Sequence, residues 1–480
     1  MSLVFTTTSC DMDLTPDSAV PEHEALRTID DCDAWVVGIY SAFKNSALYS
    51  GYMTLLPDIQ ADMAYAALNT NNGFYTNIYQ WDIKSTTDEI IAVYNGLYTI
   101  VARCNFFLDY KDQVEVNLKT TADKDNFKKR LGEVYFARAM AYAELIRLFC
   151  EPMTSVNADT ENMGICLPTT YRDDVPKVKR STLRESYNQI ISDLKSAEDN
   201  LPDSRTVADS HYFSKGAVYA LRARIYMYMG MGDLKRDRNN EYLKKSVEAA
   251  TKVIKLGVYE LSDAINNAFV IDSKYYTDYQ VMWMRDASDE VIWKIGMSST
   301  SYGGALGKEL LSYNNSTYNP RYHFAEAILD LYDENDKRAS IFCTPTKDVN
   351  GDEVYLITKY PGNTDLDGGD IPRFVNMPKP LRLSEVYLSA AEAAAKLGGH
   401  QDKAAKYLNE IVQRANPEAK AISEADATVE RIILERRKEM IGEGQRYFDA
   451  LRNNQTITRY TSEADKGWHK TLSKEAQSFD

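Results

Sequence analysis

The chain has 480 residues, 44% of them hydrophobic and 26% charged, with 56 Lys and Arg against 70 Asp and Glu. A net charge of −14 repels phosphate backbones, and no Lys/Arg block carries interleaved aromatics, which argues against nucleic-acid binding. No run of 18 or more apolar residues is present, so no segment reads as a membrane-spanning helix.

The chain opens on MSLVFTTTSCDMDL, where a short apolar stretch (Leu3, Val4, Phe5) and small residues lead into Cys10 and then Asp11 and Asp13. Residues 1–9 read as the remnant of a bacterial lipoprotein signal, with Cys10 as the first mature residue and the lipid carrier. The other reading is a disordered start with an incidental cysteine. A full signal would bring a basic start, a longer apolar stretch and a Leu three places before the cysteine, and these are absent. Residues 10–25 are polar, with Pro16 and Pro21, and read as a tether that reaches roughly 50 Å when extended. The remaining cysteines (Cys32, Cys104, Cys150, Cys166, Cys343) form no CxxC or Cys/His pattern, so neither a disulfide framework nor a zinc site is indicated.

From about Leu26 helical periodicity dominates. Asp30–Asn45 places Trp35, Ile39 and Phe43 at fourfold spacing behind an acidic start. Glu89–Tyr110 is long and apolar, and Glu133–Phe149 alternates Ala137, Ala139, Ala141 and Ala143 with large side chains. Thr182–Asn200, Ser214–Met229 and Lys244–Leu256 continue the set. Ser384–Pro417 reads as helix, Gly398-Gly399 turn, helix over 34 residues, the tetratricopeptide length. Such pairs cannot bury their apolar faces alone, so they stack.

Two irregular zones interrupt the helices, at about 57–82 and 258–380. The second carries a strand pattern at Glu290–Ile295 and a hairpin signal at Asn350-Gly351, between Lys347–Val349 and Glu353–Ile357. Long loops on a rigid frame usually carry function. The first zone contains NTNNGFYTNIYQWD, with Tyr75, Tyr79 and Trp81 among several asparagines. Sugars need a flat apolar face for their C–H surface and amides or carboxylates for paired hydroxyls, and this stretch supplies both. The candidate ligand-binding residues are Asp62, Asn72, Tyr75, Tyr79 and Trp81 here, with Tyr279, Trp283, Tyr302, Tyr313, Asn314, Tyr318 and Arg321 in the second zone. For each, the competing reading is an aromatic or polar residue packed against the scaffold.

Enzyme motifs are missing. Neither GxSxG nor HExxH occurs, and GGALGKEL (303–310) puts its first glycine one place too late for a phosphate loop, with Glu309 where Ser or Thr would hold magnesium. DLDGGD (365–370) lacks the spaced ligands of a calcium loop and reads as a solvated turn. The reading therefore contains no catalytic residue, no metal site and no cofactor.

The densely charged stretch ERRKEMIGEGQRYFDALR (435–452) closes the pattern. It resembles the C-terminal signature of the SusD/RagB family, whose run has the form E-R-R-x-E-h-x-x-E-G-x-R-[WFY]-F-D-h-x-R, where h is apolar. Glu435, Arg436, Arg437, Glu439, Glu443, Gly444, Arg446, Tyr447, Phe448, Asp449 and Arg452 all match. YNGLYTIVARCNFFLD (94–109), GEVYFARAMAYAELIRLFCEP (132–152), SKGAVYALRARIYMYMG (214–230) and RLSEVYLSAAEAAAKLG (382–398) agree in order. The resemblance implies a mainly α fold: a tetratricopeptide-like helix-pair scaffold (repeats about 89–256 and 382–452) with a large irregular loop and short-strand ligand-binding side, all in one domain over 26–480. It implies a non-catalytic nutrient-binding lipoprotein of the Bacteroidetes outer membrane, anchored by lipid on Cys10, surface-exposed, and partnered by a glycan and a SusC-like TonB-dependent transporter. A peptide-binding member of the family and, further off, an unrecognised glycoside hydrolase are the alternatives. The signature itself is expected to be structural: the acids and arginines pair, the glycines end the helix, Tyr447 and Phe448 pack inward, and Arg446 and Asp449 bond exposed backbone.

Overall fold

A computed structural model describes residues 21–67, 72–171, 179–230, 239–311, 320–347, 351, 353–367 and 374–457, and the backbone of 313–314, 317–318, 458–460 and 469–472. Cys10 and most of the expected tether lie outside these residues.

The helices in chain order are α1 (Ile29–Phe43), α2 (Tyr52–Gln60), α3 (Thr76–Tyr79), α4 (Asp88–Glu115), α5 (Thr121–Phe149), α6 (Leu183–Asn200), α7 (Lys215–Met229) and α8 (Asn240–Lys255). They continue as α9 (Asp278–Met284), α10 (Leu306–Leu311), α11 (Lys337–Phe342), α12 (Leu383–Leu397), α13 (Gln401–Ala415), α14 (Val429–Glu439) and α15 (Arg446–Arg452). Reciprocal caps set several starts. Thr28 with Asp31, Thr120 with Asp123 and Thr182 with Glu185 each close a capping box, the side-chain oxygens taking the orphan N–H groups of the first turn. The Thr120 box starts α5 at Thr121, well before Glu133, because the polar stretch TADKDNFKKR propagates a helix once it is capped.

The pair expected over 384–417 forms, α12 packing on α13, and α5 packs on α6 and α7 on α8 in the same way. The left-handed Gly398 and Gly399 turn α12 into α13. Helix α12 also packs against α7, α8 and α14, joining the two halves of the repeat set. Its Ala390, Ala391, Ala393 and Ala394 are fully buried, and their small size lets backbones approach on several sides. Helix α4 is long and apolar enough to cross a membrane by length and composition. Here it is a core helix, with Leu97, Ile100, Cys104 and Phe107 fully buried where it packs against α1 and α5.

The zone expected to be irregular from 57 is more ordered than its sequence indicates. Helix α2 runs through Pro57, with every residue from Met53 to Gln60 buried. Strand Ala64–Ala66 then pairs antiparallel with Tyr322–Phe324. The 290–295 strand is realised as Val291–Trp293 against Leu381–Arg382. The hairpin forms from Cys343–Lys347 and Glu353–Ile357, with Gly351 left-handed in its turn. In DLDGGD, Asp365 pairs with Arg285, and residues 368–370 lie outside the described set.

The charged signature is buried. Helix α14 ends at Glu439, the chain turns through left-handed Gly442 and Gly444, and α15 begins at Arg446. A Cβ on Gly444 would stand 2.6 Å from the Met53 carbonyl oxygen, so this turn needs glycine for both conformation and space. Glu439 is fully buried and meets Arg382 (2.7 Å), Arg414 (2.7 Å) and Arg338 (3.1 Å). Arg382 also bonds Glu290 (2.8 Å) and Glu443 (2.7 Å). Burial would push the Glu439 carboxyl up; the three guanidiniums outweigh it and hold the group well below its usual range. Asp449 joins Arg436 and Arg452, and Arg452 also holds Glu392. The expectation that Arg446 and Asp449 bond exposed backbone is therefore corrected: both pair with buried charged side chains, because the site is too dry to leave either ion alone.

Candidate functional site

Antiparallel pairing of Ala64–Ala66 with Tyr322–Phe324 brings the 72–81 turn beside Arg321 and Tyr322. The Tyr322 hydroxyl donates to the Phe74 carbonyl (2.7 Å), and its ring lies 6.4 Å from Tyr75 at 18° and 5.7 Å from Tyr79. Tyr52, at the start of α2, meets Tyr75 edge-on at 5.8 Å. Phe74 is 41% exposed, and the Arg321 guanidinium covers its ring at 3.1 Å from the centroid. Arg321 is itself ion-paired with Glu309 on α10. Trp81, half-buried, donates from Nε1 to the Gln60 carbonyl (2.8 Å), which ties the end of the turn to the end of α2.

The backbone here is strained. Asn72, Tyr75 and Trp81 all take positive φ (53°, 56° and 60°) beside Gly73 at 76°. For bulky residues this conformation costs on the order of 1–3 kcal/mol each and persists only when the surroundings over-determine it. The Tyr322 anchor and the Trp81–Gln60 bond supply that determination. The result is a fixed aromatic edge (Tyr52, Phe74, Tyr75) with exposed Asn72 and Asn77 next to it and the Arg321–Glu309 pair behind. Burial, with Glu309 and other carboxylates adding, raises the Tyr52 and Tyr75 hydroxyls, so both stay protonated near neutral pH and can donate.

Tyr52 of this edge also lines a cavity of about 490 Å³, together with Gln60 and Ile78. Its far side is built by α4, the end of α5, the 150–163 loop and α15.

The predicted site residues separate into groups. Asn72, Tyr75, Trp81 and Arg321 are brought together. Tyr79 is adjacent but buried, packing on Tyr322. Tyr302 is exposed on the 298–304 loop, which packs on Lys44 and Ser50. The side chains of Tyr313, Asn314 and Tyr318 lie outside the described residues; their backbones form a two-stranded ladder. Asp62, Tyr279 and Trp283 are corrections. Asp62 is fastened by Arg446 (2.8 and 3.0 Å) and Arg437 (3.2 Å), and is part of the C-terminal lock. Tyr279 donates to Glu439 (2.8 Å) under the Arg414 guanidinium, fully buried. Trp283 is 1% exposed, with Lys359 and Lys379 against its ring. A large aromatic in a long loop serves the core as readily as a ligand, and these two serve the core. The reading missed Tyr52, Phe74 and Glu309. Phe74 had a signal, since it follows an Asn-Gly turn and precedes Tyr75; Glu309 had none beyond its misfit to a phosphate loop.

Comparison with known proteins places the fold. A family described as "Starch-binding associating with outer membrane" matches residues 12–227, and one described as the SusD family matches residues 350–479. SusD-like protein P2 of Formosa agariphila is 21% identical, over 94% of this chain and 89% of its own. A SusD superfamily protein from Bacteroides thetaiotaomicron aligns with TM-score 0.75 at 25% identity, covering 92% of this chain and 94% of that one. A putative sugar binding protein from Bacteroides vulgatus aligns with TM-score 0.73 at 26% identity, covering 91% and 89%. With both ends of the chain matched and the same fold between them, the chain belongs to the SusD/RagB family.

Proposed function

We propose that this protein binds an oligosaccharide at the cell surface of a Bacteroidetes bacterium and delivers it to a SusC-like TonB-dependent transporter in the outer membrane, breaking no bond. The observation that carries the reading is the strained aromatic edge at Tyr52, Phe74 and Tyr75, with Asn72, Asn77 and Arg321 beside it. Flat apolar faces hold the C–H surface of a sugar, while amides, phenols and the guanidinium pair with its hydroxyls. Strain is kept where preorganisation is useful, so that ordering of the turn is not charged against binding. The names of relatives, one a sugar binding protein, support the same ligand class. Lipid attachment at Cys10, with residues 10–25 as tether, would keep a single domain over 26–480 at the membrane beside its transporter.

The test is a glycan-array screen of the whole chain, followed by calorimetry and product analysis on the selected class. Saturable binding with the glycan recovered intact supports the reading. Recovery of shortened products would assign a hydrolase instead, and silence toward glycans with binding of peptides would assign the peptide-binding alternative.

A further inference from the structure

The cavity that Tyr52 shares with the aromatic edge differs chemically from the edge itself. Its wall is apolar, with Leu56, Ile78, Ile90, Phe149, Tyr447 and Phe448 prominent, and its volume of about 490 Å³ falls in the range of small-molecule pockets. Three of the polar side chains on it are already engaged. Arg147 bonds Glu144 (2.7 Å) and the Gly444 carbonyl (3.1 Å) while lying over the Phe448 ring at 4.4 Å. Arg180 donates to the carbonyls of Gly164 (2.6 Å) and Phe149 (2.9 Å). Asn157 accepts from the Thr154 N–H (2.7 Å) and donates to the Pro152 carbonyl (3.1 Å). Over the apolar part of this wall the hydroxyls of a sugar ring would lose water without gaining partners. That part suits a flat apolar group, which Tyr52, Phe149, Tyr447 and Phe448 would meet face or edge. The cavity also adjoins the edge, because Tyr52 belongs to both and Ile78 lies within the strained turn.

We propose that this cavity receives an aromatic substituent carried by the saccharide, an aryl ester or aryl ether, while the sugar lies against the 72–81 turn. The inference rests on the saccharide-binding reading and narrows its ligand class to aryl-substituted glycans. Val156, 82% exposed, stands on the cavity wall and is the place to close its mouth without touching the core.

The whole chain would be titrated with N-phenyl-1-naphthylamine, a neutral aryl probe whose emission rises in apolar surroundings. Saturable binding at one site is expected, weakened at least about tenfold by Val156→Trp and by Met163→Trp and unchanged by Phe74→Ala. The oligosaccharide selected on the array would then be compared with its benzoyl ester, which should bind about tenfold to a hundredfold tighter, the gain expected from burying one ring. The ester should also displace the probe, and Val156→Trp should return it to the affinity of the parent sugar. Equal affinity of ester and parent, or probe binding indifferent to both tryptophan variants, overturns this proposal and leaves the sugar reading standing. Failure of every saccharide to bind while the probe still saturates overturns both.

Discussion

Two regions of this protein use charge and aromatic rings in opposite ways. Around α14 and α15, acids and arginines are sunk in the core, each held by several partners, and the surrounding rings are covered by cations. Around the 72–81 turn, Phe74 and the amides of Asn72 and Asn77 reach the surface, one cation, Arg321, lies over the Phe74 ring, and the backbone carries the strain. The first region is a lock, insensitive to ligand and unforgiving of change. The second is the surface proposed to meet the ligand. The part of the sequence that identifies the protein is thus not the part proposed to do its work.

The comparison breaks most severely at Arg382. Replacing it with Met leaves Glu290, Glu439 and Glu443 short of a cation, and breaking a buried pair on one side costs about 3–5 kcal/mol. Chemical denaturation should show that loss; a change within error would mean the network is not a lock. Asp58 gives a second test. Burial first, against the N–H groups of Gly444, Arg446 and Gly442 and the charge of Lys359, pushes its carboxyl up to about 7. A raised acid binds its proton more tightly in the folded state. Its contribution is complete below the unfolded value of 3.8 and is lost as pH rises through about 7. Wild type should therefore lose roughly 2–4 kcal/mol relative to Asp58→Asn between pH 4 and pH 8. A difference independent of pH would show Asp58 ionised throughout.

Gly444→Ala should destabilise by about 1–3 kcal/mol, because the left-handed turn and the Met53 carbonyl both oppose a Cβ. Its melting temperature checks this, and an unchanged value would mean that α2 can move away. The smallest effects on stability fall at the edge. Phe74→Ala, at an exposed side chain, should leave the melting temperature within error yet weaken glycan binding by about 1–2 kcal/mol, as loss of a stacking partner does. Trp81→Ala should weaken binding by about 1–3 kcal/mol and also loosen the turn, since it removes the bond to the Gln60 carbonyl.

Much of the helical frame was legible because its signals are local. Alanine-rich faces and the Gly398-Gly399 turn mark α7, α12, α13 and the C-terminal end of α5 within a few residues, while the polar first half of α5 went unread, and the signature at 435–452 marks the lock. The binding side was legible only in part. Tyr75 and Arg321 come to one place through the pairing of 64–66 with 322–324, a contact between residues far apart in sequence that no periodicity reveals. Tyr279 and Trp283 look like ligand aromatics in sequence and are core aromatics in the fold, because composition cannot tell which side of a loop faces inward. Pro57 inside α2 misled for a local reason: the helix is held by burial on nearly every residue rather than by propensity.

The most direct test of the central claim is calorimetry of the array-selected oligosaccharide with wild type and with a Phe74→Ala, Tyr75→Ala double variant, beside their melting curves. The account predicts at least about a tenfold loss of affinity with the fold intact. Equal affinity in the two proteins, both folded, would contradict it and move the binding site away from the 72–81 turn.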